Sequence, residues 1–372
     1  MERTRPDSYA QPSARLCTAV REDGPVTDAP ATPPQAPEPD VAPRLIATDL
    51  DGTLLHDDKT VSDRTIAALA AAEEAGIVVF FVTGRPARWM DVVSDHVHGH
   101  GLAICANGAA VVDLHRGGRI VEVSPLESAV ALTVVDMLRS AAPGTSFAVE
   151  RTGGFHYEPE YPPFQADPTA IVAPAEKLLA EDFAPPVAAG PDAAAGARAD
   201  TAADPVSTIS PISPGSSPIS PGSPVGPIGS SISPGSRVGP TNVPTDVDGP
   251  VLKLLAHHPD LDPDAFLALA RSAAGGLASF TRSSPTALLE ISGLGVSKAG
   301  TLARCCAERG IAPEEVVAFG DMPNDIEMLS WAGTSYAMAN AHPEVLAATT
   351  RHSASNNDDG VAAVIEEILQ RR

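Results

Sequence analysis

The chain has 372 residues and a formal net charge of −22, with room for two or three domains. So acidic a chain lacks the basic face that a sequence-independent nucleic-acid binder needs, and it is ill suited to docking on anionic lipid. A phosphate-ester substrate stays open, because a bound cation and a few local basic groups can invert the field at one site.

Residues 1–42 are rich in proline, alanine and acids, as in Thr32-Pro33-Pro34-Gln35-Ala36-Pro37, and read as a disordered tail. No apolar run follows Arg3, Arg5 and Arg15, so the tail does not read as a secretory signal. No stretch approaches the ~18 apolar residues of a membrane span. Leu45-Ile46-Ala47-Thr48 then suits a short buried strand. Ser62 can cap a helix with Ile66, Leu69 and Ala70 on one face, ended by Gly76. Residues 77–82 are continuously apolar and rich in β-branched and aromatic residues, as in a strand buried on both faces, and 102–105 read as a third strand.

In the middle of the chain, 130–138 and 264–274 read as helices, and 169–172, 251–255 and 286–291 as strands. Between them, about 185–250 repeats Ile-Ser-Pro-Gly-Ser at 212–216, 219–223 and 232–236. Prolines this dense remove backbone donors and block helix and sheet alike, so the segment reads as an unstructured insertion. Toward the C-terminus a helix spans 299–309 and ends at Gly310, a strand follows at 316–319, and a helix starts near Pro323. Alternation of this kind predicts an α/β fold: a Rossmann-like parallel-sheet core built from 43–112 and 291–372. Residues 113–290 would form an inserted α+β cap domain. The four cysteines, Cys17, Cys105, Cys305 and Cys306, have no C-x-x-C spacing, which argues against zinc or a disulfide scaffold and fits a cytoplasmic protein.

Chemistry concentrates at strand ends. Asp49-Leu50-Asp51-Gly52-Thr53 directly follows the first strand, where open α/β sheets present residues to ligands. Asp49 there can attack phosphorus and hold a metal; Asp51 can protonate a leaving oxygen and then activate water. Asp-Gly is also a common solvated turn. The second strand ends in Thr83-Gly84-Arg85, whose hydroxyl and glycine amide suit a phosphoryl oxygen, although a strand-end threonine often serves only its own turn. Lys298, before the 299–309 helix, can neutralise both phosphoryl group and nucleophile, or simply sit in solvent. Gly320-Asp321-Met322-Pro323-Asn324-Asp325 supplies oxygen ligands of the kind Mg²⁺ prefers, or an ordinary helix cap.

Taken in order, these motifs, with Asn107-Gly108-Ala109 and Asn356 to Val361, resemble the haloacid dehalogenase-like hydrolase superfamily, specifically its Cof-type phosphatases with a large inserted cap. The resemblance implies a Mg²⁺-dependent phosphatase acting on a small phosphorylated metabolite through an aspartyl-phosphate. It implies Asp49 as nucleophile and metal ligand, and Asp51 as acid/base that also gives its backbone carbonyl to the metal. Asp321 is implied as the third metal ligand, Thr83 and Lys298 as phosphate holders, and Asn324 as a contact to phosphate or a metal water. Asp325 is implied to orient Lys298 or a metal water, and Asn107 to touch substrate or shape its turn. Gly84 belongs to the same phosphate-side group. The chain differs from the family pattern in three respects. Ala299-Gly300 stands where Lys-Gly is common, the cap carries the long insertion, and the N-terminal tail is additional. Two competing readings are a phosphomutase, which hands the phosphoryl group back, and a non-catalytic scaffold that recruits a partner through the proline-serine segment. The sequence names no protein partner.

Overall fold

The computed structural model describes residues 41–94, 101–162, 169–180, 249–284 and 286–372. Most of the expected tail and, apart from Gly249 and Pro250, the expected insertion lie outside the described residues. Strands are numbered along the chain. The larger sheet contains β1 (Leu45–Thr48), β2 (Val78–Val82), β3 (Leu102–Cys105), β4 (Ala110–Asp113), β5 (Arg119–Val123), β11 (Val316–Gly320), β12 (Thr334–Ala337) and β13 (Arg351–His352). The smaller contains β6 (Ser146–Arg151), β7 (Phe155–Tyr157), β8 (Val251–His257), β9 (Ala278–Thr281) and β10 (Leu288–Gly293).

The larger sheet runs β13-β12-β11-β1-β2-β3-β4-β5. Its pairs are parallel from β13 to β3, and β4 and β5 extend it antiparallel. β1 and β11, apolar but for Thr48, are buried throughout, as strands covered on both faces must be. The chain steps from β1 to β2 and β3 in one direction, and from β11 to β12 and β13 in the other. Strand order therefore reverses between β1 and β11, and the crevice outside their carboxyl ends is where such sheets hold ligands.

Two helix starts bear on that crevice. The Ser62 side chain accepts from the Thr65 amide and opens helix Asp63–Glu74, which packs against helix Gly360–Gln370. The Ser297 side chain accepts from the Gly300 amide, so helix Lys298–Ala307 begins at the lysine itself. Ala299-Gly300 thus leaves Lys298 as the first helical residue.

The smaller sheet, order β7-β6-β8-β10-β9, is antiparallel throughout. Its period of two sorts the side chains. Phe147, Val149, Leu254, Ala256, Leu289 and Ile291 form one apolar core with Val134, Leu138, Phe266 and Ala270 from helices Ser128–Ala141 and Pro263–Ala274. Each large side chain buried there contributes about 1.5–3 kcal/mol. The alternate positions Ala148, Glu150, Lys253, Leu255, Leu288 and Glu290 occupy the opposite face.

The fold is the α/β architecture expected, a parallel-sheet core with an inserted α+β cap. Several local details differ. Residues 169–172 are not a strand; only Val172 makes an isolated bridge, to Tyr157. Pro168 and Pro174 bracket too short a run to build a ladder. The expected break at 112 falls inside β4, and β5 continues the larger sheet to Val123; the expected break at 291 falls inside β10. No helix among the described residues is long and apolar enough to cross a membrane.

Candidate active site

β1 ends at Thr48, and the Asp49 amide donates to the Phe319 carbonyl of β11 at 3.1 Å, fixing the first acid beside the neighbouring strand. The turn after it depends on Gly52. With φ at 78°, a β-carbon there would lie 2.3 Å from Asp321 Oδ2, so glycine lets the two loops close on each other. Thr53 Oγ1 donates to Asp321 Oδ1 at 2.8 Å. Past β11, the 3₁₀ turn Pro323–Asp325 folds Asp325 back, and its Oδ2 accepts from the Asp321 and Met322 amides at 3.1 and 3.0 Å.

Lys298 closes this arrangement. Its Nζ lies 2.7 Å from Asp49 Oδ1 and 2.6 Å from Asp325 Oδ1, with the ammonium buried. Carboxylate oxygens of Asp49, Asp321 and Asp325 all fall within 4.8 Å of one another. One ammonium against three buried acids leaves negative charge in excess. Burial, with repulsion from Asp325 and Asp321, pushes the Asp49 carboxyl well above its usual range despite Lys298. Burial and Asp325 push Asp321 up to about 7. Burial alone would lower the Lys298 ammonium, but Asp325 and Asp49 outweigh it and hold it above its usual value. An all-oxygen donor set with surplus negative charge fits a hard divalent cation. Both Asp325 oxygens are already engaged by Lys298 and backbone amides, which leaves Asp49 and Asp321 as the side chains suited to ligate it.

The Asp51 side chain is not part of this cluster. Arg85 grips it through Nε at 2.6 Å and Nη2 at 2.7 Å, and Lys59 Nζ lies 2.9 Å from Oδ1. Burial pushes its carboxyl up, yet these two cations outweigh burial and hold it at about 2. The Asp51 side chain thus faces Arg85 and Lys59 and takes no part in the Asp49–Asp321–Asp325 cluster.

The remaining expected residues form a second row. Thr83 is buried, its hydroxyl accepting from the Arg85 amide at 3.1 Å and its carbonyl from the Asn107 amide at 3.0 Å. Asn107 is left-handed, φ 56°. Its Nδ2 donates to Glu290 Oε2, and its Oδ1 accepts from Asn324 Nδ2 at 3.1 Å. The Gly84 carbonyl accepts from Lys253 Nζ at 2.8 Å. Sequence reasoning missed Lys59, Lys253 and Glu290 and gave Arg85 no role. For Lys253 and Glu290 a signal existed: each is a lone charge in an otherwise apolar strand run, and such charges are rarely buried unless partnered.

A family profile described as haloacid dehalogenase-like hydrolase matches residues 46–174 and 239–365. The 5-amino-6-(5-phospho-D-ribitylamino)uracil phosphatase YitU of Bacillus subtilis (strain 168) is 26% identical over 332 residues, 87% of this chain and 97% of its own. The pyridoxal phosphate phosphatase YbhA of Escherichia coli (strain K12) is 40% identical over 100 residues, 26% of this chain and 35% of its own. Among solved structures, BT1666 from Bacteroides thetaiotaomicron, described among phosphatases of the haloalkanoate enzyme superfamily, superposes with a TM-score of 0.59 at 18% identity. That match covers 91% of this chain and 99% of the other, a likeness of fold.

Proposed function

The chain belongs to the haloacid dehalogenase-like hydrolase family and is a hydrolase of phosphate esters; we propose that it removes phosphate from a small phosphomonoester, through an aspartyl-phosphate on Asp49, with Mg²⁺. The observation that carries this reading is Lys298 bridging Asp49 and Asp325 beside Asp321. It unites acids from both ends of the parallel sheet's switch point around one ammonium. We take residues 124–294 as the cap and the rest of the described chain as the core.

Asp49 Oδ1 is held by Lys298, which leaves Oδ2 to form a bond to phosphorus as the ester oxygen leaves. Repulsion between that carboxylate and a phosphate dianion is the main obstacle. Bound at Asp49, Asp321 and the Asp51 carbonyl, Mg²⁺ would supply the charge that offsets it. Lys298 contributes a second positive charge from a fixed, dry position. Thr83 and the Gly84 amide, at the adjacent strand end, suit the phosphoryl oxygens. Asp51 protonates the leaving oxygen, then takes a proton from the water that attacks the aspartyl-phosphate, releasing inorganic phosphate and restoring Asp49. A carboxyl held at about 2 carries no proton near neutrality, so delivery requires the Arg85 fork to open when substrate enters.

The substrate reading is a sugar phosphate or a nucleotide, flavin-type or pyridoxal-type monophosphate. Its support is what the named relatives act on, and a cap face that carries Phe155, Tyr157 and Tyr161 with ring centroids 6.0–6.3 Å apart. Tyr161 itself is buried in that cluster. The test is a panel of phosphate esters assayed for free phosphate with and without Mg²⁺, beside Asp49→Asn. Turnover should need Mg²⁺ and fall at least about a thousandfold in the variant, the scale on which loss of a nucleophile is felt. Turnover of Asp49→Asn near wild type would remove Asp49 from this role.

A further inference from the structure

We infer that Lys253 and Glu290 form a positioning unit, an ion pair that the cap inserts between Gly84 and Asn107 to set the two core loops nearest the phosphoryl site. The inference rests on the phosphatase reading above and adds residues that reading does not use.

Lys253 on β8 and Glu290 on β10 share the cap face turned away from the Phe147–Phe266 core, as the register pairing Glu290 with Leu255 requires. Their charged groups are bonded at 2.9 Å, with side chains only 5% and 7% exposed. Replacing a buried ion pair with two apolar residues is often neutral for stability, so holding the fold is a weak account of this pair. Its remaining bonds leave the cap. Lys253 donates to the Gly84 carbonyl at 2.8 Å, and Glu290 accepts from Asn107. Burial would raise the Glu290 carboxyl, but Lys253 and Asn107 outweigh it, with Lys298 adding to the same effect. The Glu290 carboxyl is therefore held below its usual range.

The loop it grips needs gripping. Ala106 and Asn107 are consecutive left-handed residues, φ 50° and 56°, a conformation that non-glycine residues keep only when their surroundings enforce it. Asn107 is enforced from both sides, by Glu290 from the cap and by Asn324 from the core. A β-carbon on Gly84 would lie 3.3 Å from Asn107 Oδ1 and 3.5 Å from each Glu290 oxygen, so Gly84, Asn107 and Glu290 fill one junction. A cap that swings away takes both charges with it and releases the Gly84 carbonyl and the Asn107 amide together. The phosphate-side loops are thus fully set only while the cap is seated, a way for closure to complete the site.

The test uses full-length protein, p-nitrophenyl phosphate as substrate and inorganic phosphate as competitive inhibitor, a probe too small to read leaving-group contacts. Glu290→Ala should lower kcat/KM at least about tenfold and weaken phosphate inhibition at least about threefold. Glu290→Gln, which keeps an acceptor for Asn107, should recover most of that loss. Combined with Asn107→Ala, Glu290→Ala should add little, because the two act as one unit. Multiplying losses, or phosphate inhibition unchanged while kcat/KM falls, would overturn the inference. Should Glu290→Ala not fold, Lys253→Met with Glu290→Met removes both charges together, and unchanged phosphate inhibition there overturns it equally. Wild-type turnover that depends on Asp49 but is indifferent to these changes defeats this inference alone. Absence of any Asp49-dependent turnover defeats the phosphatase reading and this inference with it.

Discussion

Arg85 holds Asp51 with two arms of its guanidinium, Nε 2.6 Å from Oδ2 and Nη2 2.7 Å from Oδ1. Burial opposes this pull but loses to Arg85 and Lys59, so the carboxyl sits at about 2 against its usual 3.8. A depressed carboxyl stabilises the fold above its unfolded value, and that contribution is lost as pH falls through the folded one. The Asp51 side chain is 39% exposed, so screening limits the contribution to about 1 kcal/mol. Arg85→Ala should therefore destabilise at about pH 6, with the gap to wild type narrowing by about pH 3. Urea unfolding at the two pH values checks this. A gap that does not narrow would assign the Arg85 contribution to packing instead.

Lys298→Met should be the most destabilising change at the site. It strips the single ammonium from Asp49 and Asp325, and breaking a buried ion pair from one side costs about 3–5 kcal/mol. Added Mg²⁺ should restore part of that stability, since a cation can again offset Asp49 and Asp321, while turnover stays at least about a hundredfold down. Chemical unfolding with and without MgCl₂ separates the two effects. Equal loss in both conditions would argue against a cation at these acids.

Mg²⁺ binding should grow stronger with pH. Burial and Asp325 hold Asp321 at about 7, so below that value a proton competes with the metal at this carboxyl and above it the competition fades. The rise in unfolding temperature on adding MgCl₂ should be larger at about pH 8 than at about pH 5.5. Asp321→Asn should remove most of the rise at both. A shift independent of pH in wild type would place the cation elsewhere.

Two glycines separate backbone strain from crowding. Gly52 and Gly76 have nearly the same φ, 78° and 79°, but a β-carbon at 52 meets Asp321 Oδ2 at 2.3 Å while one at 76 meets nothing within 4 Å. Each alanine substitution should cost about 1–2 kcal/mol for the left-handed backbone. Only Gly52→Ala should also weaken Mg²⁺, by about tenfold or more, because it displaces a ligand. Isothermal titration of both variants reads the difference, and equal Mg²⁺ affinity would show that Asp321 can move aside at little cost.

The core and its acids were readable because each depends on local chemistry. β1, β2 and β11 are short runs, apolar but for Thr48, and each ends in a polar motif that the parallel sheet carries to one edge. What the sequence hid is set by partners distant along the chain. β6 reads Ser-Phe-Ala-Val-Glu-Arg, too mixed to mark a strand until β8 and β7 pair with it. The position of the Asp51 side chain is decided by Arg85 and Lys59, which only the folded loops bring together. Lys253 and Glu290 stand out as lone charges in apolar runs, but their pairing shows only once both strands are placed on the same cap face.

Because β11 lies beside β1 in the sheet but leaves the ribosome long after it, a partly synthesised chain contains Asp49 and neither Lys298 nor Asp321. Such a chain has a carboxylate with nothing to tame it and no means of gathering a cation. The acids of the candidate site meet only when the late strand pairs with the early one. On the proposed reading, turnover would therefore report that β11 has paired with β1.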